Sequence, residues 1–346
     1  MQTEKRDIRS LTQEDLETFL LENKEPKFRA KQIYQWLWNK GVSEIDEMTN
    51  LSLPLRDKLK AQFIIPTAKV TIVQKSTDGT IKAGFKLRDD RIIEGVLIPS
   101  KKRMTACVSS QVGCTLACAF CATGTLARER NLDAGEIYDQ VVAINKISLE
   151  EYDKPLTNIV YMGMGEPLLN YKNVIGSIGK ITSQEGLRMS PRRITISTVG
   201  IAKGIIRLAD EGKKFNLALS LHAPTDSKRR LIMDITNSNP LNKVMDAIKY
   251  FYDKTGNKIT FEYILFKDIN DSEKDAKNLV KLCSRFPVFV NIIEYNPVEG
   301  LPFEKSSKEN AEMFLRMLER KNITAKIRIS RGKDIDAACG QLANRS

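Results

Sequence analysis

The feature that most constrains the fold is an alternation, from residue 106 onward, of short apolar runs with segments of helical periodicity. The runs have the length and composition of strands and cover residues 106–110, 158–162, 193–198, 216–221, 260–265, 289–294 and 325–329. Parallel neighbours are joined through long crossovers, usually helices, so the alternation predicts βα units around a parallel sheet. Six or seven units suit an open barrel better than a complete eight-stranded one. We therefore predict an α/β fold whose main domain, residues 101–346, is a partial (βα) barrel.

The first 65 residues are predicted to form a helical accessory domain that binds RNA. Apolar residues recur there at helical spacing over residues 12–22, 27–40 and 51–63. The second of these segments contains Phe28, Tyr34, Trp36 and Trp38. Aromatic residues in a small helical module usually form its core, but they could also stack on bases. The RNA contact therefore stays a hypothesis at this point.

Residues 66–100 are predicted to form a β-rich connector between the helices and the barrel. Within them, residues 69–98 have strand-like composition and are interrupted by turn signals at Asp78-Gly79 and Asp89-Asp90. This pattern is typical of a β meander.

Charge points to a polyanionic partner such as RNA. The 346 residues carry a formal net charge of +12, and half of that surplus falls within residues 66–130. Further basic patches are predicted at residues 192–193 and 228–230. An ordinary solvated surface is the alternative interpretation.

The chain is expected to be cytoplasmic and to have no membrane partner. No uncharged apolar run reaches the roughly 18 residues of a membrane span, and the opening MQTEKRDIRS lacks the apolar core of a secretory signal. Six cysteines are too few for a disulfide scaffold, and three of them lie within eight positions. In a reducing compartment such crowding favours metal or redox chemistry.

The crowded cysteines are Cys114, Cys118 and Cys121, with the spacing C-x3-C-x2-C. Three thiolates can hold three irons of a four-iron cluster and leave the fourth iron open to a small molecule. A structural zinc site prefers four closed ligands, and neither Cys107 nor His222 lies at a paired spacing. A zinc-stabilised RNA-binding module and chance clustering remain the alternatives.

The same loop resembles the signature of the radical S-adenosylmethionine (SAM) superfamily. Five motifs, CVSSQVGCTLACAFCATG, MGMGEPLLN, ISTVG, SLHAP and RGKDIDAACGQL, are together similar to the adenine-C2 RNA methyltransferases of the RlmN family, and they span essentially the whole chain. The resemblance implies a radical SAM barrel, a [4Fe-4S] cluster on Cys114, Cys118 and Cys121, and two SAM molecules per turnover. One SAM would bind the open iron of the cluster.

The resemblance also implies a set of SAM contacts near the carboxyl ends of the barrel strands. They are Gly165, Glu166, Pro167, Ser197, Ser220, Leu221, His222 and Asn296. From the residues alone, a tight turn would explain the glycines equally well. His222 by itself would more often be a satisfied core or loop histidine.

Three residues carry the chemistry that the resemblance implies: Cys339 as methyl carrier, Cys107 as its resolving partner in a transient disulfide, and Glu94 as proton acceptor. Either cysteine alone could be structural, whereas Cys283 lies on an apolar helix face and is interpreted as core. Glu94 interrupts an apolar run, where a carboxylate is partly desolvated and suited to accept a proton. An ion pair with Arg88 or Arg91 is the alternative.

The implied substrates are an adenosine near the peptidyl-transferase centre of 23S rRNA and an adenosine on the 3′ side of the tRNA anticodon. The implied partners also include an external electron donor resembling flavodoxin, and the chain is expected to be a monomer. Cfr-like adenine-C8 methyltransferases are the nearest rival. They share the cluster and both catalytic cysteines but are less similar at Glu166-Pro167.

Overall fold

The computed structural model describes residues 5–343, so the outermost residues of the predicted first and last domains lie outside the described part of the chain. At the N-terminal end the structure has β1 (Arg6–Asp7), α1 (Gln13–Glu22), α2 (Phe28–Gln35), α3 (Leu53–Gln62) and β2 (Phe63–Ile64). A capping box between Thr12 and Asp15 begins α1. A π-helical turn over Trp36–Lys40 continues α2. The three predicted helical segments are confirmed, apart from this change of helix type.

The aromatic residues of α2 and its π turn divide between core and surface. Trp38 is buried and packs edge-on against Tyr138, with ring centroids 5.1 Å apart. The Tyr138 hydroxyl donates to the backbone carbonyl of Trp38. Phe28, in contrast, is 59% exposed. The core interpretation is therefore confirmed for Trp38 and wrong for Phe28.

One ten-stranded sheet organises residues 69–328. Its order is β14-β13-β12-β11-β10-β9-β6-β5-β4-β3. The strands are β3 (Lys69–Lys75), β4 (Ile81–Lys86), β5 (Ile92–Pro99), β6 (Met104–Cys107), β9 (Asn158–Tyr161), β10 (Ile194–Thr198), β11 (Asn216–Ser220), β12 (Ile259–Leu265), β13 (Phe289–Glu294) and β14 (Thr324–Arg328). A separate antiparallel pair is formed by β7 (Gln111–Val112) and β8 (Arg130–Asn131).

The strands from β6 to β14 that belong to the large sheet are all parallel, which confirms the predicted partial (βα) barrel. β3, β4 and β5 pair antiparallel and join this sheet through β6. The predicted meander is therefore present, and it extends the barrel sheet instead of forming a layer of its own.

Helices cover the outer face of the sheet. They are α4 (Ala134–Tyr152), α5 (Tyr171–Thr182), α6 (Ala202–Asp210), α7 (Asp226–Ile232), α8 (Leu241–Thr255), α9 (Glu273–Cys283) and α10 (Lys308–Glu319). Successive side chains of a strand point to opposite faces. The helix-covered face holds apolar residues such as Leu217 and Tyr263, whereas Ser220 and Glu262 lie on the inner face. The parallel strands present their carboxyl ends at one rim, where barrel enzymes place their sites.

The accessory helices are fixed to the barrel by charge as well as packing. The Arg9 guanidinium forms an ion pair with Asp139 of α4, with Nη1 and Oδ1 2.7 Å apart. No helix within residues 5–343 is both long and apolar enough to cross a membrane.

Candidate active site

The loop between β7 and β8, the cluster loop, carries the three clustered cysteines. Gly113 begins it with φ +72°, and a Cβ there would lie 2.2 Å from the Ala127 carbonyl oxygen, so glycine is required for the loop ends to approach. The Ala119 N–H donates to the Ile232 carbonyl at 3.0 Å. Phe120 packs edge-on against His222 at 5.0 Å. The loop is therefore anchored over the barrel rim.

Burial raises the pKa of all three thiols, that of Cys114 to about 11. The charges of Cys114 and Cys121 add to the shift at Cys118, so the three sulfurs are electrostatic neighbours. In the described part of the chain, no three His, Cys, Asp or Glu side chains gather closely enough to hold one metal ion. The thiolates of a four-iron cluster ligate different irons, so they surround a polynuclear centre and do not converge on one ion. Three partly buried thiols in one loop fit that centre better than a closed zinc site.

A C-terminal segment lies directly against the cluster loop and carries Cys339. The Ala122 N–H donates to the Gly340 carbonyl at 2.7 Å, and the Thr123 hydroxyl donates to the Leu342 carbonyl at 2.6 Å. On the other side, Asn296 Nδ2 donates to the Cys339 carbonyl at 3.3 Å. These bonds hold Cys339 between the cluster loop and the loop after β13.

Cys107 lies at the carboxyl end of β6, in register with Val96 of β5 and Val160 of β9. Burial raises the pKa of its thiol to about 12, and the charge of Cys339 contributes to that rise. The two sulfurs of the predicted catalytic pair are thus brought within electrostatic reach of each other. Both are free thiols in this structure.

Glu94 lies on β5 and is fully buried. Its Oε1 is 3.3 Å from Lys82 Nζ, and its Oε2 accepts the Ala343 N–H at 2.9 Å. Glu94 therefore forms an ion pair with Lys82, which was not among the partners considered from the sequence, and Arg91 pairs with Glu129. Since Val96 faces Cys107 across the ladder, Glu94 lies two residues away on that same face of the sheet.

The glycine motif after β9, residues 163–167, packs closely on β7, the strand that precedes the cluster loop. Gly165 has φ +89°, and a Cβ there would lie 2.5 Å from Gln111 Cβ. Glu166 is buried, and burial raises its pKa to about 7. Its two carboxylate oxygens accept the N–H groups of Leu168 and Val199, at 3.0 and 2.9 Å. The Glu166 side chain therefore ties together the loops that follow β9 and β10.

The residues at the ends of β10 and β11 line the same rim. Ser197 is buried, and Ser220 is half-buried. His222 has φ +52° and accepts the Ile264 N–H on Nδ1 at 3.1 Å. Burial, with a contribution from the Arg229 charge, lowers the pKa of His222 to about 3. A neutral imidazole that accepts on Nδ1 carries its proton on Nε2, so the ring offers one donor.

The predicted basic patch at residues 228–230 is wrong for its central residue. Arg229 is fully buried and donates to the carbonyls of Leu221 and Ser220, at 3.2 and 3.4 Å. It also donates to the Val199 carbonyl. Lys228 pairs with Asp275 at 2.6 Å. Arg229 therefore fixes the carboxyl ends of β10 and β11 and is not available to phosphates.

Asn296 supplies the observation that points most directly to a ligand. It is 3% exposed, and its Oδ1 has no hydrogen-bond partner among the described residues. A buried acceptor without a donor costs about 1–3 kcal/mol. The site therefore fits a molecule with N–H or O–H donors, as SAM has.

Charged residues on the inner face of the barrel were not predicted from the sequence as part of the site. Arg328 Nη1 lies 3.3 Å from Glu262 Oε2, and Asn291 Nδ2 donates to Glu262 Oε1 at 2.7 Å. Cys107 and Cys339 are among the groups that raise the pKa of Arg328, so this guanidinium lies near the thiol pair. The sequence signal that could have found these residues is a charged side chain inside a strand-like run, as at Glu94. The same signal is present at Lys82 and Glu262.

Part of the basic surplus of residues 66–130 is neutralised locally. Arg130 pairs with Asp89 at 2.6 Å and with Glu136 at 2.7 Å. Residues 101–103, Lys-Lys-Arg, are exposed. A phosphate-binding role for this region stays a prediction.

Two family models match the chain. The ribosomal RNA large subunit methyltransferase N-terminal domain matches residues 6–65, and the radical SAM superfamily matches residues 108–280. The second match includes the cysteine loop and the glycine motif.

Relatives match over the full length. A probable dual-specificity RNA methyltransferase RlmN of Flavobacterium psychrophilum is 52% identical, over 100% of this chain and 99% of the relative. A dual-specificity RNA methyltransferase RlmN of Nitratidesulfovibrio vulgaris is 46% identical, over 97% of this chain and 94% of the relative. The crystal structure of a radical SAM methyltransferase from Sphaerobacter thermophilus is 39% identical, with a TM-score of 0.92 over 97% of this chain and 99% of that chain.

Proposed function

The chain belongs to the RlmN family of radical SAM methyltransferases, and on that basis we propose that it methylates adenosine in 23S rRNA and in tRNA. The methylated atom is C2, in an adenosine near the peptidyl-transferase centre and in one on the 3′ side of the anticodon. The observation that supports this most strongly is the convergence of Cys107, Cys339 and Glu94 beside the cysteine loop.

Adenine C2 calls for radical chemistry. It is an electron-poor carbon between two ring nitrogens and has no lone pair to displace a methyl group from a sulfonium. When bound, the [4Fe-4S] cluster and SAM supply a carbon radical that takes a hydrogen atom from a methyl group, and an acceptor for the electron that the base adduct loses. Cys114, Cys118 and Cys121 hold the cluster. The Asn296 amide and the backbone fixed by Glu166 hold SAM, together with the other rim residues named above.

Each catalytic residue has a distinct task. The Cys339 sulfur would first accept the methyl group of one SAM, whose S–CH3 bond breaks so that the sulfonium leaves as a thioether, and the methyl carbon would later bond to C2. Glu94, or a water that it orients, takes the C2 proton. The Cys107 thiolate then attacks the Cys339 sulfur, so that the S–S bond forms, the S–CH2 bond breaks, and the released carbon takes a proton to become methyl. An external reductant restores both thiols, which is compatible with a reducing cytoplasm.

The cellular setting follows from the substrates. Because the proposed substrates are ribosomal and transfer RNA, we propose a cytoplasmic, monomeric enzyme with a flavodoxin-like electron donor. Both bases must be exposed or splayed from their stacks for C2 to reach the Cys339 carbon. The zinc-stabilised binding module is excluded, because the family consists of methyltransferases.

Nucleoside analysis distinguishes the proposed reaction from methylation at C8. Anaerobic, iron-reconstituted protein is incubated with unmodified 23S rRNA fragment or tRNA transcript, SAM and a low-potential reductant, and the digested RNA is analysed by mass spectrometry. We expect 2-methyladenosine from both RNAs, and none without SAM. Formation of 8-methyladenosine would assign the chain the Cfr-like reaction, and absence of methylated adenosine would contradict the proposal.

A further inference from the structure

We propose that a basic surface at the amino ends of the barrel strands binds backbone phosphates of the substrate RNA, at the end of the barrel opposite the active site. We call this surface the amino rim and define it by Arg192, Lys214 and Lys258. The inference rests on the proposed function, because that function identifies the polyanion as RNA. Residues 192–193 were predicted as a basic patch from the sequence, whereas Lys214 and Lys258 were not.

The three cations are brought together by the parallel order of the sheet. Arg192 lies just before β10, Lys214 just before β11 and Lys258 just before β12. These three strands are neighbours and run parallel, so their amino ends meet at one edge of the sheet. The three side chains line one open cavity of about 350 Å³.

Side-chain amides fix the backbone of the amino rim. Asn216 Nδ2 donates to the Arg192 carbonyl at 2.9 Å and so joins the segments that precede β10 and β11. Asn257 Nδ2 donates to the Lys213 carbonyl at 2.9 Å and joins the segments that precede β11 and β12. The three segments are therefore held in a fixed arrangement, while their charged side chains stay exposed.

The amino rim gathers positive charge without acidic partners. Within residues 5–343, none of its three cations forms an ion pair with a carboxylate. Exposed lysines of the outer helices commonly do: Lys249 pairs with Asp253, and Lys277 pairs with Glu273. Like charges gathered on one surface repel each other and attract anions. An anionic ligand accounts for this arrangement better than an ordinary solvated surface does.

The positive charge extends beyond the cavity. The Nζ atoms of Lys258 and Lys326 lie over the Phe289 ring, 5.0 and 5.4 Å from its centroid. Burial lowers the pKa of Lys326, and the charge of Arg103 contributes to that effect. Basic side chains therefore continue from the amino rim towards residues 101–103, which precede β6. Such a row is longer than a single phosphate needs and suits a polyanion.

RNA is the polyanion that the position of the amino rim favours. Its phosphates are regularly spaced, and Lys and Arg side chains bind them with release of counterions. β10 and β11 have five residues each, so roughly 16 Å separates the amino rim from the active-site rim. A folded ribosomal or transfer RNA can contact both rims at once. An acidic electron-donor protein, in contrast, has to dock near the cluster loop, which lies at the active-site rim.

A salt titration of RNA binding tests the amino rim directly. Arg192→Gln/Lys214→Gln/Lys258→Gln and the wild-type protein, both reconstituted, are titrated against labelled 23S rRNA fragment and tRNA transcript without reductant. We expect the variant to bind at least about tenfold more weakly at about 0.1 M salt. We also expect the slope of log K against log salt concentration to fall by about 2, because each lost phosphate contact removes about 0.7–0.9.

A matched variant controls for net charge. Lys249→Gln/Lys277→Gln/Lys308→Gln removes the same number of positive charges from exposed helical lysines that are paired with acidic residues. We expect it to bind both RNAs within about twofold of the wild-type protein and with an unchanged salt slope. Arg192→Lys/Lys214→Arg/Lys258→Arg keeps the charge of the amino rim and is expected to keep the wild-type slope.

Steady-state methylation separates binding from chemistry. Because the amino rim is remote from the reacting atoms, the glutamine variant of the amino rim is expected to keep kcat within about twofold of the wild-type value and to raise the KM for RNA at least about tenfold. All three substituted side chains are exposed, so the variant is expected to fold.

The inference is overturned if the amino-rim and control variants weaken RNA binding equally, or if the salt slope of the amino-rim variant is unchanged. Displacement of RNA by millimolar inorganic phosphate at constant ionic strength would assign the cavity to a small anion instead. Normal RNA binding with slower reduction by a flavodoxin would assign the surface to the electron donor. Wild-type protein that binds RNA with the expected salt dependence but forms no methylated adenosine would contradict the proposed function and still support the phosphate-binding surface.

Discussion

Cys339→Ala is expected to abolish RNA methylation, lowering the rate by at least about a thousandfold, the scale of losing a covalent catalytic residue. The reason is that no other thiol takes its place. Cys107 is buried on β6, and the loop thiols are the proposed cluster ligands. Methylated adenosine is measured by nucleoside mass spectrometry after anaerobic turnover.

Cys283→Ala is the matched control for this prediction. Cys283 is also a free thiol, but it is buried on α9 within the main apolar core, as the sequence predicted. We expect its replacement to lower the free energy of unfolding by about 1 kcal/mol and to leave methylation intact. Product from Cys339→Ala at a rate similar to that of Cys283→Ala would contradict the covalent route.

Cys107→Ala is expected to stop the reaction after the carbon of Cys339 has bonded to the base. In the proposed mechanism Cys107 attacks the Cys339 sulfur and the S–CH2 bond breaks, so without Cys107 the RNA would stay attached to the protein. The charge of Cys339 contributes to the raised pKa of Cys107, which agrees with a placement of the two thiols near each other. Denaturing gel electrophoresis and mass spectrometry should detect one covalent protein–RNA species.

Cys107→Ala/Cys339→Ala provides the control for the adduct. We expect the double variant to form no covalent species, because the atom that attaches to RNA is missing. Repeated turnover by Cys107→Ala, with free 2-methyladenosine and no adduct, would show that Cys107 has no resolving role.

The barrel could be predicted from the sequence because its strands are short apolar runs in a regular alternation with helices. The ends of the strands were predicted less accurately than their presence. The run at residues 106–110 was predicted as one strand, but β6 ends at Cys107. The Ser110 N–H instead donates to the Met164 carbonyl, in the glycine motif. The acceptor of that bond lies in a loop more than 50 residues away along the chain, and no local sequence pattern predicts such a contact.

The proposed site residues were predicted by motif, whereas their surroundings came only from the structure. The sequence predicts that Arg229 belongs to a basic surface patch, yet its side chain is enclosed by the carboxyl ends of β10 and β11. Glu94 was recognised as unusual in its strand, but the ion pair weighed as an alternative was with Arg88 or Arg91 and not with Lys82. Lys82 reaches it diagonally across a ladder. Such pairings depend on strand register, which the sequence of one strand does not determine.

The central claim is that three thiolates of one loop hold an iron–sulfur cluster that reduces a bound sulfonium. The most direct test is 5′-deoxyadenosine formation by anaerobic, reduced protein with SAM and RNA, with Cys118→Ala as the control that lacks one cluster ligand. The account predicts 5′-deoxyadenosine in step with methylated adenosine for the wild-type protein, and neither for Cys118→Ala. Methylated adenosine without 5′-deoxyadenosine, or 5′-deoxyadenosine from Cys118→Ala at the wild-type rate, would contradict it.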